Sequence, residues 1–393
     1  MRRPRLVYVA THPITADVLL RGQLTFMREH GFDVTVIAAP GVELDRTRDR
    51  EGVDVIGIPM ARPMRLGKDA VAIAQLTRAL RRLEPDIVNA GTTKGGLLGM
   101  MAARAVNVPI RIYLLRGLRL ETAQGPMRRV LAATERLACA CAHDVICVSP
   151  SLLQLSVDGG FIPASKALVL GAGSSNGVDT ERLQRTDTLR AEGQRLMERL
   201  GIMPHDLLIG FVGRLASDKG ITELLDAFEQ VKREVPRAKL ALLGGDVGGE
   251  KAAGDLVERV RNASGVVATP EIKDLAPYYA RMDVFAFPSF REGFPNAVLE
   301  AASAEVPSVA FRSTGIVDAI VPGETGELVE QGDITGLASG LVGYLKDPER
   351  TRAHGKAARE RAWRLFRREK VWQGWLAAYS ARLRERGLPL PHA

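Results

Sequence analysis

The sequence predicts an α/β protein made of two successive doubly wound domains that face each other across a cleft. Strand and helix patterns alternate through the first half, a Gly/Ser/Asn-rich stretch interrupts them near residues 171–179, and the alternation then starts again. Such alternation is typical of parallel sheets with helices on both faces. The chain has 393 residues, of which 46% are hydrophobic, and this is sufficient for two cores.

The first half contains short apolar runs that predict parallel strands, separated by helical patterns. The strands are expected at 6–10, 34–38, 53–58, 87–89, 110–115, 145–148 and 168–170. The helical patterns lie at 16–30, 68–83, 95–106, 127–142 and 150–157. Residues 171–179 then indicate a boundary, and the charged stretch up to Arg199 indicates an exposed helix.

The second half repeats the pattern and ends in an Arg-rich helical region at 348–387. Its strands are expected at 207–212, 240–243, 266–268, 283–287 and 308–311. We therefore predict an N-terminal Rossmann-like domain at 1–174 and a second Rossmann-like domain at 175–371. A C-terminal helix at 372–393 is expected to pack back on the first domain. Ligands of such sheets bind at the carboxyl ends of the strands.

The composition limits the class of protein and of partner. A formal net charge of +8 favours an anionic partner, such as nucleic acid, a phospholipid surface or a sugar nucleotide. No zinc finger, aromatic RNA-binding strand or long basic tail is present, so nucleic-acid binding is not expected. Cys139, Cys141 and Cys147 are an odd number in an apolar region, which favours reduced core residues over a disulfide or a zinc site. We find neither a signal peptide nor an apolar run that would span a bilayer, and expect a cytoplasmic protein.

The segment from Phe290 to Glu300 is the strongest candidate site. It follows a buried strand pattern and leads into a helix, with Gly293 allowing close backbone approach and Pro295 suited to a first helical turn. Free amides at a helix start favour an anion or hydroxyl groups. Glu292 and Glu300 lie on either side of the bend, so both carboxylates can face one ligand. The alternative is that both are ordinary solvated side chains.

A second candidate lies at Gly210 to Gly220, between a strand and a helix. Arg214 can hold a phosphate oxygen in a fork, Lys219 can add a point charge, and the helix start adds its dipole. This favours a diphosphate ligand, against the alternative of a turn with two surface cations. The loops Ser313 to Gly315 and Gly323 to Gly326 line the predicted cleft or simply form turns.

The first predicted strand ends in a turn before a helix, and Thr11 and His12 occupy this turn. We predict an acceptor or phosphate loop here, although His12 fits equally well as a structural turn residue. The full three-glycine dinucleotide motif is missing, so hydride transfer has weak support.

Together these motifs resemble glycosyltransferase family 4, a group of retaining, nucleotide-sugar-dependent enzymes with the GT-B fold. The resemblance spans the chain. It rests on Gly213-Arg214 with Lys219-Gly220, on the Glu-x7-Glu of Glu292 and Glu300, on Asn176-Gly177-Val178-Asp179, and on Thr314-Gly315 with the Gly323 to Val329 stretch.

The resemblance implies a role for each matching position. Arg214 and Lys219 would bind the donor diphosphate, and Glu292 would face the donor sugar. The remaining donor contacts would be Gly213, the amides of Gly293 and Phe294, Asn296, Glu300 on the ribose, and the backbone around Glu271 and Ile272 on the base. No metal and no cofactor are expected, because protein cations replace the metal. The resemblance also implies that the departing phosphate accepts the acceptor's proton.

One position departs from the family pattern. Many relatives carry His-Gly after the fifth strand, whereas this chain has Leu115-Arg116-Gly117. We predict that Arg116 contacts the donor or the acceptor, with a surface ion pair as the alternative.

The acceptor side is predicted at residues 116–136. Met127, Val130, Leu131 and Leu137 are expected to share one helical face beside Arg128, Arg129 and Arg136, and residues 70–83 repeat the pattern with Arg78, Arg81 and Arg82. Several family members are peripheral membrane proteins that act on lipid-linked acceptors. Such faces fit peripheral contact with an anionic membrane, and they equally fit a core-facing helix with solvated arginines.

The predicted function is transfer of a sugar from a nucleoside diphosphate donor, expected to be UDP, to a hydroxyl of a polyprenyl-linked glycan or surface polysaccharide precursor. Three alternatives remain: glycosylation of a soluble secondary metabolite, epimerisation of a UDP-sugar, and a binding protein without catalysis. The four charged residues Arg214, Lys219, Glu292 and Glu300 argue against the last.

Overall fold

The computed structural model describes residues 2–60, 65–244 and 254–392. The chain forms two compact units, Met1–Gly177 with Arg368–Ala393, and Val178–Arg367. Each unit is a parallel sheet with helices packed on it, which confirms the α/β, doubly wound class expected from the alternating pattern.

The sheet of the first unit has the strand order β3-β2-β1-β4-β5-β6-β7, and every pairing is parallel. The strands are β1 (Arg5–Val9), β2 (Asp33–Ala38), β3 (Asp54–Gly57), β4 (Ile87–Gly91), β5 (Ile110–Leu115), β6 (Asp144–Cys147) and β7 (Ala167–Val169). The helices are α1 (Pro13–Leu19), α2 (Gln23–Glu29), α3 (Val42–Glu51), α4 (Leu66–Leu83), α5 (Thr93–Ala105), α6 (Gly125–Cys141) and α7 (Pro150–Asp158). The central strands are buried on both faces, which explains their continuous apolar runs.

The second unit has the strand order β10-β9-β8-β11-β12-β13. Its strands are β8 (Leu207–Val212), β9 (Ala238–Leu243), β10 (Val266–Ala268), β11 (Val284–Phe287), β12 (Ser308–Phe311) and β13 (Gly326–Val329). Its helices are α8 (Asp187–Glu198), α9 (Ile221–Glu234), α10 (Gly254–Asn262), α11 (Ala276–Arg281), α12 (Asn296–Ser303), α13 (Ile316–Ala319), α14 (Ile334–Lys346) and α15 (Pro348–Phe366). The last helix, α16 (Arg368–Glu385), belongs to the first unit.

Three elements differ from the sequence prediction. The helix expected at 16–30 is two helices, because Gly22 adopts φ +79° and a Cβ there would lie 2.6 Å from the Trp372 indole. The C-terminal helical region is interrupted at Arg367, which is extended. The stretch Gly326–Val329, for which no strand was predicted, is an edge strand paired with β12, and it begins at the last residue of the loop predicted at 323–326.

The boundary between the units also lies a few residues from the predicted positions. Residues 175–177 and the first turn of α16 belong to the first unit, although the sequence assigned them to the second. Two indole groups of α16 account for this: Trp372 Nε1 donates to Asn176 Oδ1 at 2.7 Å, and Trp375 Nε1 donates to the Ser175 carbonyl at 3.1 Å. Arg382 adds a two-pronged ion pair with Asp144 at the start of β6.

The three cysteines are buried and free, as the composition predicted. Burial raises the pKa of the Cys139 and Cys147 thiols to about 12. These thiols are therefore protonated core side chains.

Candidate functional site

In the second unit, the turn after β8 is packed against the end of β11. A short 3₁₀ turn, Ser217–Lys219, leads into α9, and Gly220 between them adopts φ +68°. A Cβ on Gly220 would lie 2.0 Å from the Pro288 carbonyl oxygen, so only glycine fits. This close approach brings the residues that follow β8 beside those that follow β11.

Lys219 and Glu292 form the centre of this arrangement. Lys219 Nζ lies 2.5 Å from Glu292 Oε1, and both side chains are only 16% exposed. The same oxygen accepts a hydrogen bond of 2.9 Å from the Ser289 hydroxyl, which is fully buried. Ser289 is in turn fixed by its carbonyl, which accepts from Ser313 Oγ at 2.7 Å. The carboxylate is therefore held in one orientation by two donors.

The pair lies at the point where the strand order of the second sheet reverses. β8 is adjacent to β9 on one side and to β11 on the other. The two flanking connections leave in opposite directions there and open a crevice at the carboxyl edge. Lys219 follows β8 and Glu292 follows β11, so both residues of the predicted site lie at this edge of the sheet.

Arg214 lies in the same turn as Lys219, and its guanidinium is beside Asp218. Its side chain is 62% exposed, and its Nη2 lies 3.9 Å from Asp218 Oδ2. Arg291 approaches the same carboxylate at 3.5 Å. Asp218 thus lies between two cations. The cations Arg214, Lys219 and Arg291 outnumber the carboxylates Asp218 and Glu292 by one, so this cluster has a net charge of one positive unit. A surface ion pair of this length is weak, so Arg214 is able to turn toward an anion.

The loop that carries Gly293 and Phe294 is supported from two sides. A Cβ on Gly315, which has φ +76°, would lie 2.4 Å from the Gly293 carbonyl oxygen. The Phe294 ring packs 5.1 Å from the Phe366 ring, so its backbone, and not its side chain, is what the loop offers to a ligand. Helix α12 then starts at Asn296, and its N-cap residue, Pro295, makes no side-chain hydrogen bond to the first amides.

Glu300 lies on α12, one helix turn beyond Asn296, and contacts Tyr279 of α11. The Tyr279 hydroxyl donates to Glu300 Oε2 at 2.9 Å. Burial, and then the charge of Glu300, raise the pKa of Tyr279 well above its usual value. Tyr279 therefore remains a hydrogen-bond donor that orients Glu300.

The predicted base-binding residues lie on a different loop. Glu271 is exposed and Ile272 is half-buried in the connection from β10 to α11. Within the described parts of the chain, no hydrogen bond joins either residue to the Lys219–Glu292 pair. Thr269, at the start of this loop, is buried with a hydroxyl that has no partner.

In the first unit, Thr11 lies at the corresponding reversal of strand order, between β1 and β4. Its hydroxyl lies 2.7 Å from the Thr92 hydroxyl and accepts from the Gly95 amide at 2.7 Å. Thr92 caps α5 with φ +69°, an unfavourable value for a β-branched residue. His12 caps α1 through Nδ1, which accepts from the Ile14 amide at 3.4 Å, so the structure gives it the role of a turn residue.

Arg116 follows β5, and its guanidinium lies over the end of β4, within 3.3 Å of where a Gly91 Cβ would stand. Its Nη1 donates to Ser175 Oγ at 2.7 Å, while its Nε is buried without a partner. Burial lowers the pKa of Arg116 to about 10. Its bonded partner is thus a neutral hydroxyl, and no ion pair of Arg116 is present among the described residues.

The helix predicted on the acceptor side, α6, has one apolar face in solvent and another in the core. Met127, Val130 and Leu137 are 58%, 44% and 44% exposed, whereas Leu131 is buried, so these four do not share one face. Arg136 packs over the Phe161 ring at 5.6 Å and donates to the Gly160 carbonyl.

Sequence reasoning missed the residues that orient the site. These residues are Ser289, Asp218, Tyr279, Thr92 and Ser175. The contacts of Tyr279 and Ser175 are distant in sequence, whereas Ser289 orients Glu292 three residues away. A polar residue at the end of a buried strand was the only available signal, and it applied to Ser289 and Thr92.

The described residues contain neither a metal-binding cluster nor a membrane-spanning helix. Residues 2–60, 65–244 and 254–392 hold no group of three or more His, Cys, Asp or Glu side chains that could bind a metal ion. No helix within these residues is long and apolar enough to cross a bilayer.

Comparison with known proteins identifies the family. The model described as "Glycosyl transferases group 1" matches residues 206–347, and the "Glycosyl transferase 4-like domain" matches residues 19–173. The Staphylococcus aureus capsular polysaccharide biosynthesis glycosyltransferase CapM is 35% identical over 369 residues, which is 93% of this chain and 94% of CapM. The chain belongs to the GT-B glycosyltransferases of family 4.

Other relatives support this assignment. An Escherichia coli protein named UDP-Gal:alpha-D-GlcNAc-diphosphoundecaprenol alpha-1,3-galactosyltransferase is 25% identical over 325 residues, covering 80% of this chain and 81% of that protein. The crystal structure of Anabaena HepE in complex with UDP and glucose has a TM-score of 0.81 at 20% identity and covers 96% of this chain and 100% of HepE. The latter likeness shows the GT-B fold.

Proposed function

We propose that this glycosyltransferase is a retaining, metal-independent enzyme. It transfers a sugar from a UDP-sugar to a hydroxyl of a lipid-linked glycan or surface polysaccharide precursor. The observation that carries the proposal is the Lys219–Glu292 pair at the reversal of strand order in the second unit. A buried ammonium and an oriented carboxylate at this position suit a diphosphate and the hydroxyls of a sugar.

Each group of the donor has a proposed partner in the second unit. Arg214 and Lys219 neutralise the diphosphate, which replaces the role of a metal ion. Glu292, with the amides of Gly293 and Phe294, faces the sugar. The remaining roles are Asn296 at the α12 start, Gly213 beside the diphosphate, Glu300 on the ribose, and the backbone of Glu271 and Ile272 on the base.

In the proposed reaction, the bond between the anomeric carbon and the diphosphate oxygen breaks while the acceptor oxygen bonds to the same face of that carbon. The acceptor's hydroxyl proton passes to the departing phosphate oxygen. Negative charge grows on that oxygen in the transition state, and Lys219 is already positioned by Glu292 to stabilise it. The retained configuration follows from attack on the face that the leaving group occupied.

The relatives support the choice of donor and acceptor. HepE binds UDP, the Escherichia coli relative is named for a UDP-galactose donor and a diphosphoundecaprenol-linked acceptor, and CapM is named for capsular polysaccharide biosynthesis. These names favour a uridine donor and a polyprenyl-linked acceptor for this chain.

The exposed face of α6 supports peripheral contact with an anionic membrane. Met127, Val130 and Leu137 project apolar side chains into solvent, and neither Arg128 nor Arg129 has an ion-pair partner among the described residues. Apolar insertion combined with unpaired arginines is the pattern of an interfacial helix. Sedimentation with phosphatidylglycerol vesicles should fall for Val130→Asp with Arg129→Ser, and unchanged sedimentation would contradict this contact.

A panel of nucleotide sugars tests the function. Each is added with and without a chelator, and thermal stability and release of nucleoside diphosphate are recorded. Ligand at about 100 times its dissociation constant adds about 2.7 kcal/mol, which shifts the melting temperature visibly. A chelator-insensitive response to one UDP-sugar supports the proposal. A donor that is isomerised without transfer would favour an epimerase, and stabilisation without any turnover on polyprenyl-linked or soluble acceptors would favour a binding protein.

A further inference from the structure

The Arg116 guanidinium is a partly buried cation, and no carboxylate pairs with it among the described residues. It lies at the carboxyl edge of the first sheet, and among the described residues its only hydrogen-bond acceptor is the Ser175 hydroxyl. Its Nε is buried and unpaired. A buried charge is costly unless it is paired and hydrogen-bonded, so this partly buried side chain favours an anionic partner, and the described residues supply none.

Two other arginines, the half-buried Arg111 and the buried Arg281, show how this chain normally satisfies such a group. Arg111, at the opposite end of β5, donates to the carbonyls of Cys141 at 2.7 Å and Val108 at 2.9 Å. Arg281 donates to Gln194 and to the Asp206 carbonyl and pairs with Asp283 at 3.3 Å. Arg116 has neither a carboxylate nor a carbonyl. The lack of a carboxylate or carbonyl partner is therefore specific to Arg116 and is not a general property of arginine in this fold.

The surroundings of Arg116 are rich in donors. Ser175 Oγ accepts from Arg116, so its own proton is directed to another acceptor. Asn89 donates to the Tyr379 hydroxyl at 2.6 Å, and Tyr379 donates to the Tyr8 hydroxyl at 3.3 Å, which leaves the Tyr8 proton without an acceptor in the described residues. Tyr8 of β1 is in register with Asn89 of β4, and β4 is the neighbour of β5, which Arg116 follows.

We propose that Arg116 and Ser175 form a receptor for a phosphate group of a substrate. Phosphate oxygens only accept hydrogen bonds, and a guanidinium binds them through two parallel bonds, so the donors present match this chemistry. The inference rests on the proposed function, because it takes the phosphate to be that of the nucleotide donor or that of a phosphorylated acceptor. Trp375 fixes the backbone of Ser175 and so holds the receptor in place.

Inorganic pyrophosphate is the probe, and the full-length Lys219→Met variant is the background, because that substitution weakens the separate cation site of the second unit. Adding Arg116→Gln to this background should lower pyrophosphate affinity about tenfold or more, as loss of a charged two-pronged contact does. The matched control is Arg111→Gln, which removes a half-buried arginine of β5 and should leave the affinity unchanged. Arg116→Lys keeps the charge but loses the two-pronged geometry. Its pyrophosphate affinity should lie between those of the Arg116→Gln and Arg111→Gln variants.

UDP affinity distinguishes the source of the phosphate. If Arg116→Gln in the otherwise unchanged chain weakens UDP binding as well, the receptor takes the donor diphosphate. If UDP affinity is unchanged while the KM for a polyprenyl-diphosphate-linked acceptor rises, the receptor takes the acceptor's phosphate.

A second measurement needs no loss of the arginine. In spectra of protein with ¹⁵N-labelled arginine, the Arg116 Nε–H signal, assigned by its absence from Arg116→Lys, should shift as pyrophosphate is added. The proposal is overturned if this signal does not move, or if Arg116→Gln binds pyrophosphate as tightly as its background. Both readouts are independent of glycosyl transfer, so an inactive enzyme that still binds pyrophosphate through Arg116 would refute the proposed function alone.

Discussion

The ammonium group of Lys219 and the carboxylate of Glu292 lie 2.5 Å apart, although 73 positions separate them in the sequence. The fold creates this contact by placing the turn after β8 against the end of β11, where Gly220 meets the Pro288 carbonyl. The pair orients both groups before any ligand arrives. Preorganised charge of this kind requires no rearrangement when a transition state forms.

Replacing either member of this pair should reduce transfer without unfolding the chain. Lys219→Met removes a positioned cation, and we expect kcat to fall about 10²- to 10³-fold. Glu292→Gln should largely abolish transfer. The matched control is the exposed pair Lys346–Glu234 of the same unit, at 2.7 Å, where Lys346→Met should leave kcat unchanged. Steady-state kinetics with circular dichroism tests this, and a Glu292→Gln enzyme with normal turnover would refute the site assignment.

Removal of the Tyr279 hydroxyl should weaken donor binding. Tyr279→Phe takes away the 2.9 Å hydrogen bond that orients Glu300, and hydrogen bonds to charged groups contribute about 1.5 to 3 kcal/mol. We expect the KM for the donor to rise about tenfold with little change in kcat. Tyr278→Phe, one position away on the same helix, should have no effect. A fall in kcat at constant KM would show that Glu300 acts on the chemical step instead.

The Gly220 position should tolerate no side chain. Both Gly220 and Gly323 have positive φ, but a Cβ at Gly323 meets nothing within 4 Å, whereas at Gly220 it lies 2.0 Å from the Pro288 oxygen. Gly323→Ala should therefore cost about 1 to 2 kcal/mol from the left-handed backbone alone. Gly220→Ala should cost clearly more and should also lower kcat, because Lys219 moves. Urea unfolding measures the difference, and equal costs would mean that the turn can shift freely.

The stability of the first unit should fall as pH rises through neutrality because of Glu135. Burial raises the pKa of Glu135 to about 7, and Tyr113 donates to it at 2.7 Å. Its other ionisable neighbour, Cys139, is a protonated thiol, because burial raises its pKa to about 12. The unfolded carboxyl ionises near its ordinary value of 4.5, while the folded one keeps its proton to about pH 7. The contribution of Glu135 to the free energy of unfolding is therefore fully present below about pH 4.5, and it is lost as the pH approaches and passes 7.

The variant Glu135→Gln isolates this contribution. A neutral amide keeps the contact with Tyr113 but cannot ionise, so the free energy of unfolding of the native chain relative to the variant should fall by roughly 3 kcal/mol between pH 4.5 and 8. Chemical denaturation at both pH values measures it. If the free energy of unfolding changed equally with pH in both proteins, Glu135 would already be ionised in the folded state.

Most of the fold could be predicted from the sequence, because buried parallel strands leave continuous apolar runs. The strand at Leu207–Val212 was placed at the correct residues for this reason. The edge strand β13 was missed because Gly326–Val329 is flanked by turn residues and is only partly buried. The break between α1 and α2 could not be foreseen, since it depends on the indole of Trp372, which is remote in sequence.

The candidate site divides in the same way. Spacing identified the charged residues Arg214, Lys219, Glu292 and Glu300, because each motif is continuous in sequence. It could not reveal that Lys219 is paired with Glu292, or that Ser289 and Tyr279 orient the two carboxylates. The Lys219 and Tyr279 contacts join separate segments, and the Ser289 contact depends on the conformation of its own loop.

The sequence by itself determined the fold class, the repeated strand and helix pattern and the chemical types present at the strand ends, because hydrophobic periodicity and local motifs are properties of the chain. Only the tertiary structure decided which charges are paired. In the folded chain, Arg116 hydrogen-bonds to a neutral hydroxyl, whereas Lys219 pairs with a carboxylate. The physical reason is that the cost of burying a charge depends on neighbours brought together by sheet order, and sheet order places residues side by side that are far apart in the chain.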